Sequence, residues 1–145
     1  MPKFGIVWIA LTSMYCSGIF YLSSLQDLDK AVPAWLDWPG ADKAVHAALY
    51  GGLAGLVAMG LRQSNPRGVA LRTLFLAPVV FAVVYGVSDE FHQAFVPTRS
   101  PDPLDLLADA AGATIIAGVY TTWVARFAQP GASSAKGNST GLPGD

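Results

Sequence analysis

Four apolar stretches, each close to the length a helix needs to cross a bilayer, constrain this chain more than any other feature. They run from about Phe4 to Leu22, Ala44 to Leu61, Leu71 to Ser88 and Leu104 to Phe127, and a spanning helix takes about 20 mostly apolar residues. Charged side chains make up 13% of the 145 residues, against about 25% in an average globular chain. A soluble domain so poor in charge would struggle to cover its surface, so lipid has to be part of the solvent. The expected fold is all-α: an integral membrane bundle of four transmembrane helices.

The first stretch follows Lys3 and precedes Ser23-Ser24, an arrangement a signal peptide shares. It is longer than the usual signal core of about 7–15 residues and three more spans follow it, so it reads as a retained helix. Residues 1–128 are expected to form one membrane domain. Residues 129–145 are mostly Gly, Ser, Pro, Asn and Lys with little to bury, and are expected to be a disordered tail. The single cysteine, Cys16, excludes an intrachain disulfide and reads as packing. The net charge of −1 offers no basic field for nucleic acid.

Basic residues set the expected orientation. The connection between the second and third spans carries Arg62, Arg67 and Arg72 without an acid. The other two connections are acidic: Asp27, Asp29, Asp37 and Asp42 outweigh Lys30 and Lys43 in the first, and Asp89, Glu90 and Asp102 outweigh Arg99 in the last. Both termini are therefore expected in the cytoplasm, with Lys3, Arg126 and Lys136, and both acidic connections outside. Trp35 and Trp38 fall at the outer boundary and Trp8 and Trp123 at the inner one, as interfacial anchors do. Gly51-x-x-x-Gly55 and Ala108-x-x-x-Gly112 allow close helix contact, and packing within the chain is the simpler use for them. Pro78 is expected to kink the third span. No face announces self-association.

Two polar clusters then share the outer side: Asp42-Lys43…His46…Tyr50, and Ser88-Asp89-Glu90-Phe91-His92-Gln93…Arg99…Asp105…Asp109. Helical spacing stacks Asp42, His46 and Tyr50 on one side of the second span, and Asp105, Asp109 and Gly112 on one side of the fourth. If the third helix continues through its motif, Tyr85, Asp89, His92 and Gln93 share a face and Glu90 points about 100° away. Asp109 lies deepest. An acid well inside a membrane helix costs about 2.5–3.5 kcal/mol on insertion scales, so it needs a partner, with Lys43, His46 and Arg99 as candidates. Such residues usually face a protein interior, a cavity or a ligand.

These residue types permit several uses. One is an interhelical network that fixes helix register. Another is recognition of an anion by Arg99, whose planar fork suits phosphate or carboxylate. A third is acid–base or metal-assisted chemistry, since His46 and His92 with Asp42, Asp89 or Asp109 have suitable donors. No His-Glu-x-x-His is present and Ser88 lacks a Gly-x-Ser-x-Gly setting, so the sequence assigns neither a metal nor a nucleophile. It calls for no cofactor. Proton transport is disfavoured because the inner halves of the spans lack matching polar groups.

At these motifs the chain resembles the VanZ-like family. The shared elements are Asp42-Lys43…His46…Tyr50, Asp89-Glu90…His92-Gln93, Phe95-Val96-Pro97-Thr98-Arg99, Asp105 and Gly112, with Ser23-Ser24 after the first span. The resemblance covers about residues 4 to 125. Two positions depart from it: Asp109 stands where asparagine is common, and Thr98 where glycine is common, which stiffens that turn. The resemblance implies a small multi-pass protein of the bacterial inner membrane. Its name-giving member is associated with resistance to the glycopeptide antibiotic teicoplanin.

The expected function is an envelope factor that engages an anionic membrane lipid, a lipid-linked peptidoglycan precursor or a glycopeptide antibiotic. Its site would comprise Asp42, Lys43, His46, Tyr50, Asp89, Glu90, His92, Gln93, Arg99, Asp105 and Asp109. In that expectation Arg99 contacts the anion, Asp105 holds Arg99, and Asp42 and Asp89 orient the histidines. The alternatives are a membrane-embedded hydrolase or transferase with a histidine base, and a purely structural or assembly protein.

Overall fold

The computed structural model describes residues 3–25, 38–65 and 67–127. Asp27, Asp29, Lys30, Trp35, Asp37 and the expected tail lie outside the described residues. Four helices make up the rest: α1 (Lys3–Ser23), α2 (Ala41–Ser64), α3 (Leu71–Gln93) and α4 (Pro103–Phe127). All four are long and apolar enough to cross a membrane. Each expected span is present, and α2 and α3 run further than hydropathy alone suggests. Their polar ends, Asp42-Lys43 and Asp89 to Gln93, are helical too.

Local chemistry explains where the helices start. Pro39-Gly40 turns the chain into α2: the Ala41 N–H donates to the Trp38 carbonyl at 3.0 Å, and Gly40 takes φ 88°, a left-handed value glycine adopts without penalty. The fourth helix opens on Asp102-Pro103. Asp102 Oδ1 accepts the Leu104 N–H at 2.9 Å, satisfying a donor that a helix start leaves unpaired. Pro103 fills the first helical position, where no N–H is needed. Pro78 sits buried inside α3.

The bundle has small residues inside and large apolar residues outside. Ala54, Ala58, Ala82, Ala113 and Ala117 are fully buried, while Ile9, Met14, Val84, Leu107, Ile115 and Val119 are exposed. In water that arrangement would leave a large sticky surface. In lipid it suits helices that associate through close backbone contact.

The most extensive contact is between α2 and α4; α3 packs against both, and α1 lies against α2 and only brushes α3. The two small-residue motifs meet each other. A Cβ at Gly51 would lie 3.1 Å from the Gly112 carbonyl oxygen, and one at Gly112 would overlap the Ala47 backbone. Their use within the chain is thus direct. The first helix is pinned by two tyrosines: Tyr15 donates to the Leu49 carbonyl at 3.1 Å, and Tyr85 to the Cys16 carbonyl at 2.6 Å.

Candidate functional site

The close crossing of α2 and α4 brings their polar first turns together. Lys43, on α2, reaches three carboxylates: Asp42 Oδ2 at 2.8 Å, Asp102 Oδ2 at 2.6 Å and Asp105 Oδ1 at 2.6 Å. The ammonium donates hydrogen bonds to Asp42 and Asp102 and is ion-paired with Asp105 as well. One turn further into α2, His46 lies between two acids of α4. Its Nδ1 is 3.0 Å from Asp109 Oδ1, and its Nε2 is 3.8 Å from Asp105 Oδ2.

Asp109 is completely buried. Its second oxygen occupies the space left by Gly86 of α3, where a Cβ would stand 2.8 Å away. The acid that needed a partner therefore finds it in His46. Below that pair, the Tyr50 ring stacks parallel to the imidazole at a centroid distance of 6.2 Å.

Helix α3 divides its motif between two neighbours. Glu90 turns toward α2 and α4, where a carboxylate oxygen comes within 4.8 Å of donor atoms on His46 and Asp105. Its Oε2 accepts the Asp102 backbone N–H at 2.8 Å. Asp89 and Gln93 are buried, and Gln93 Nε2 donates to Asp89 Oδ2 at 3.2 Å. His92 instead meets the end of α1: its Nε2 lies 2.9 Å from Ser24 Oγ, and its ring packs on Phe20 at 4.3 Å.

Several expected pairings are replaced. Asp105 holds Lys43 and faces His46, not Arg99, because the α2–α4 crossing delivers Lys43 to it first. Asp42 is largely exposed and pairs with Lys43, and Asp89 pairs with Gln93, so neither orients a histidine. The two histidines serve different contacts rather than one. Ser88 is exposed and donates to the Tyr85 carbonyl, which leaves it outside the cluster. Arg99 sits on the turn before α4, with its Nε buried and without a hydrogen-bond partner.

One central residue is missing from the expected site. Asp102 binds Lys43, caps α4 and donates its N–H to Glu90, so it ties three helices together. The Lys43 ammonium, and then the Leu104 N–H, hold its carboxyl below the usual carboxylate range. An acid directly before a proline at a helix start is a recognisable cap, and that signal could have found it.

The family model described as VanZ/LLP1 matches residues 6–125. The chain belongs to the VanZ/LLP1 family. The match takes in all four helices and every residue of the polar cluster. No curated protein and no solved structure matches the chain. In this VanZ/LLP1 protein the four long apolar helices indicate a multi-pass membrane protein, and the chemistry has to come from the site. A shallow apolar groove lined by Phe75, Gly118, Val119, Trp123 and Phe127 lies toward the other end of α4, remote from that site.

Proposed function

We propose that this protein resides in the bacterial inner membrane with its polar cluster facing outward. There Arg99 binds the anionic head group of an envelope lipid, with a lipid-linked peptidoglycan precursor as the leading candidate. One observation carries the reading. Lys43 is ion-paired with three carboxylates, whereas among the described residues Arg99 has no ion pair and keeps a buried, unpartnered Nε. A guanidinium in that state offers a planar fork to phosphate or carboxylate. The Lys43–His46 network would then act as the rigid floor beside it. A part in glycopeptide resistance, through a precursor that such drugs bind, belongs to the same proposal and rests on family similarity.

Binding of the full-length protein to lipid-linked precursor, and to vesicles with and without phosphatidylglycerol, tests this. Arg99→Ala should weaken binding at least tenfold while melting like the parent, and Arg99→Lys should recover part of the loss. Equal binding by Arg99→Ala and the parent would remove the proposal. Variants that lose binding only because they unfold would favour a structural network instead.

A hydrolase or transferase is the second reading, and the Ser24–His92 contact favours it. Ser24 Oγ, however, also lies 2.7 Å from the Phe20 carbonyl. A hydroxyl has one proton, and a carbonyl can only accept it, so in this geometry the imidazole donates to Ser24 rather than taking its proton. Turnover of a lipid-linked substrate that disappears in Ser24→Ala would reverse that judgement.

A further inference from the structure

We propose that His46, Glu90 and Asp105 bind a divalent transition-metal ion, zinc or manganese, at the meeting point of α2, α3 and α4. The three residues offer one imidazole nitrogen and two carboxylate oxygens, all within 4.8 Å of one another. Ligands that share one zinc at about 2.0–2.2 Å lie no more than ~4.4 Å apart. In a tetrahedral site the same bonds put ligand atoms ~3.4 Å apart, so the three side chains would draw together by up to about an ångström to share one ion.

The imidazole is prepared for the task. Asp109 accepts the Nδ1–H at 3.0 Å, which turns the Nε2 lone pair toward Asp105 Oδ2, 3.8 Å away. A carboxylate behind a histidine is the usual support of a metal-bound imidazole: it sets the tautomer and raises the basicity of the donor nitrogen. Asp105 is similarly divided, with Oδ1 on Lys43 and Oδ2 left toward the imidazole.

A second, independent observation comes from Glu90. Its Oε2 is fixed by the Asp102 N–H, yet its Oε1 is sealed from solvent without any hydrogen-bond partner. A buried carboxylate oxygen left so costs about 1–3 kcal/mol or more. Charge points the same way. Glu90, Asp102, Asp105 and Asp109, with Asp42 at the rim, face one ammonium and one imidazole. A dication would offset that excess where another side chain has no room.

The donor set also selects the ion. Calcium and magnesium take oxygen ligands almost exclusively, whereas a nitrogen with two carboxylates suits zinc or manganese. The proposal needs neither Arg99 nor a lipid, and so stands apart from the anion-binding reading.

The test is a titration of the metal-stripped, full-length protein in detergent with zinc, manganese, calcium or magnesium chloride alone, followed by calorimetry and melting. One equivalent of zinc or manganese should bind and raise the melting temperature, with calcium and magnesium far weaker. Glu90→Gln and Asp105→Asn should each weaken binding by more than ~100-fold, and Asp109→Asn by about 10–100-fold through the imidazole. Glu90→Gln keeps its shape and its acceptor for Asp102, so it should melt without metal no lower than the parent. Asp105→Asn supplies the same comparison should Glu90→Gln fold poorly. No uptake of zinc or manganese, or uptake that both variants leave unchanged, would overturn the proposal. Because the titration contains no phosphate or lipid, its failure leaves the Arg99 reading standing, and the reverse holds too.

Discussion

Gly112 presses so closely on Ala47 that a Cβ at position 112 would overlap the Ala47 carbonyl. The atoms in the way are backbone, which cannot rotate aside. This contact sets the separation of α2 and α4, and with it whether Lys43 and His46 reach the acids of α4. Gly112→Ala should destabilise by about 3 kcal/mol, the upper end for overpacking. It should also release the polar cluster. Gly18, where an added Cβ would meet nothing within 4 Å beyond its own helix, should accept alanine without loss. Unfolding in mixed detergent measures both.

His46 and Asp109 should behave as one unit. Removing the imidazole alone, in His46→Leu, strands a fully buried acid, and breaking such a pair costs about 3–5 kcal/mol. Adding Asp109→Asn to that variant should restore most of the stability. A double-mutant cycle reads the coupling directly, and simple additivity of the two changes would refute it.

Thr98 holds φ 71°, an outlying value for a β-branched residue. Thr98→Gly should therefore stabilise the turn that carries Arg99, by about 1 kcal/mol, since the left-handed region penalises a Cβ by roughly 1–2 kcal/mol. A higher melting temperature is the expected result.

Asp102 predicts a pH dependence. Its carboxyl is held below its ordinary value, mainly by Lys43. The stability it contributes is thus fully present above the unfolded value, about pH 3.9, and is lost as pH falls through the folded value. The parent should melt above Asp102→Asn near neutrality, and the gap should close as acidification carries the pH below the unfolded value and through the lower folded one. A gap that stays constant would show that the ion pair with Lys43 contributes nothing.

Much of this was readable beforehand, for physical reasons that also explain the failures. Long apolar runs mark membrane helices, and a period of four placed His46 above Tyr50 and Asp105 above Asp109, as found. Partner choice was not readable in the same way. It depends on how far apart two helices cross, which Gly112 decides by contact with a residue more than sixty positions away. Arg99 is near Asp105 in sequence, yet Lys43 is the residue delivered to it in space. Directions on α3 misled for a related reason. Glu90 looked like the odd one out because it left the shared face, but that turn is what brings it to His46 and Asp105. Asp102 was overlooked because it counted as loop charge, although its place before Pro103 marks it as a cap.

The tyrosine bonds that hold α1 end on main-chain oxygens, those of Leu49 and Cys16. A carbonyl is the same whichever side chain it belongs to. The bonds therefore do not depend on the side chains at positions 16 and 49, which are held only by their packing against the core, while they do depend on Tyr15 and Tyr85. Related sequences compared column by column would show neither tyrosine changing in step with the residue whose carbonyl it binds. These two bonds would leave no paired signature for covariation to detect, so any coupling across the seam would come from its side-chain contacts, Phe20 and Ser24 with His92 and Tyr15 with Gly52.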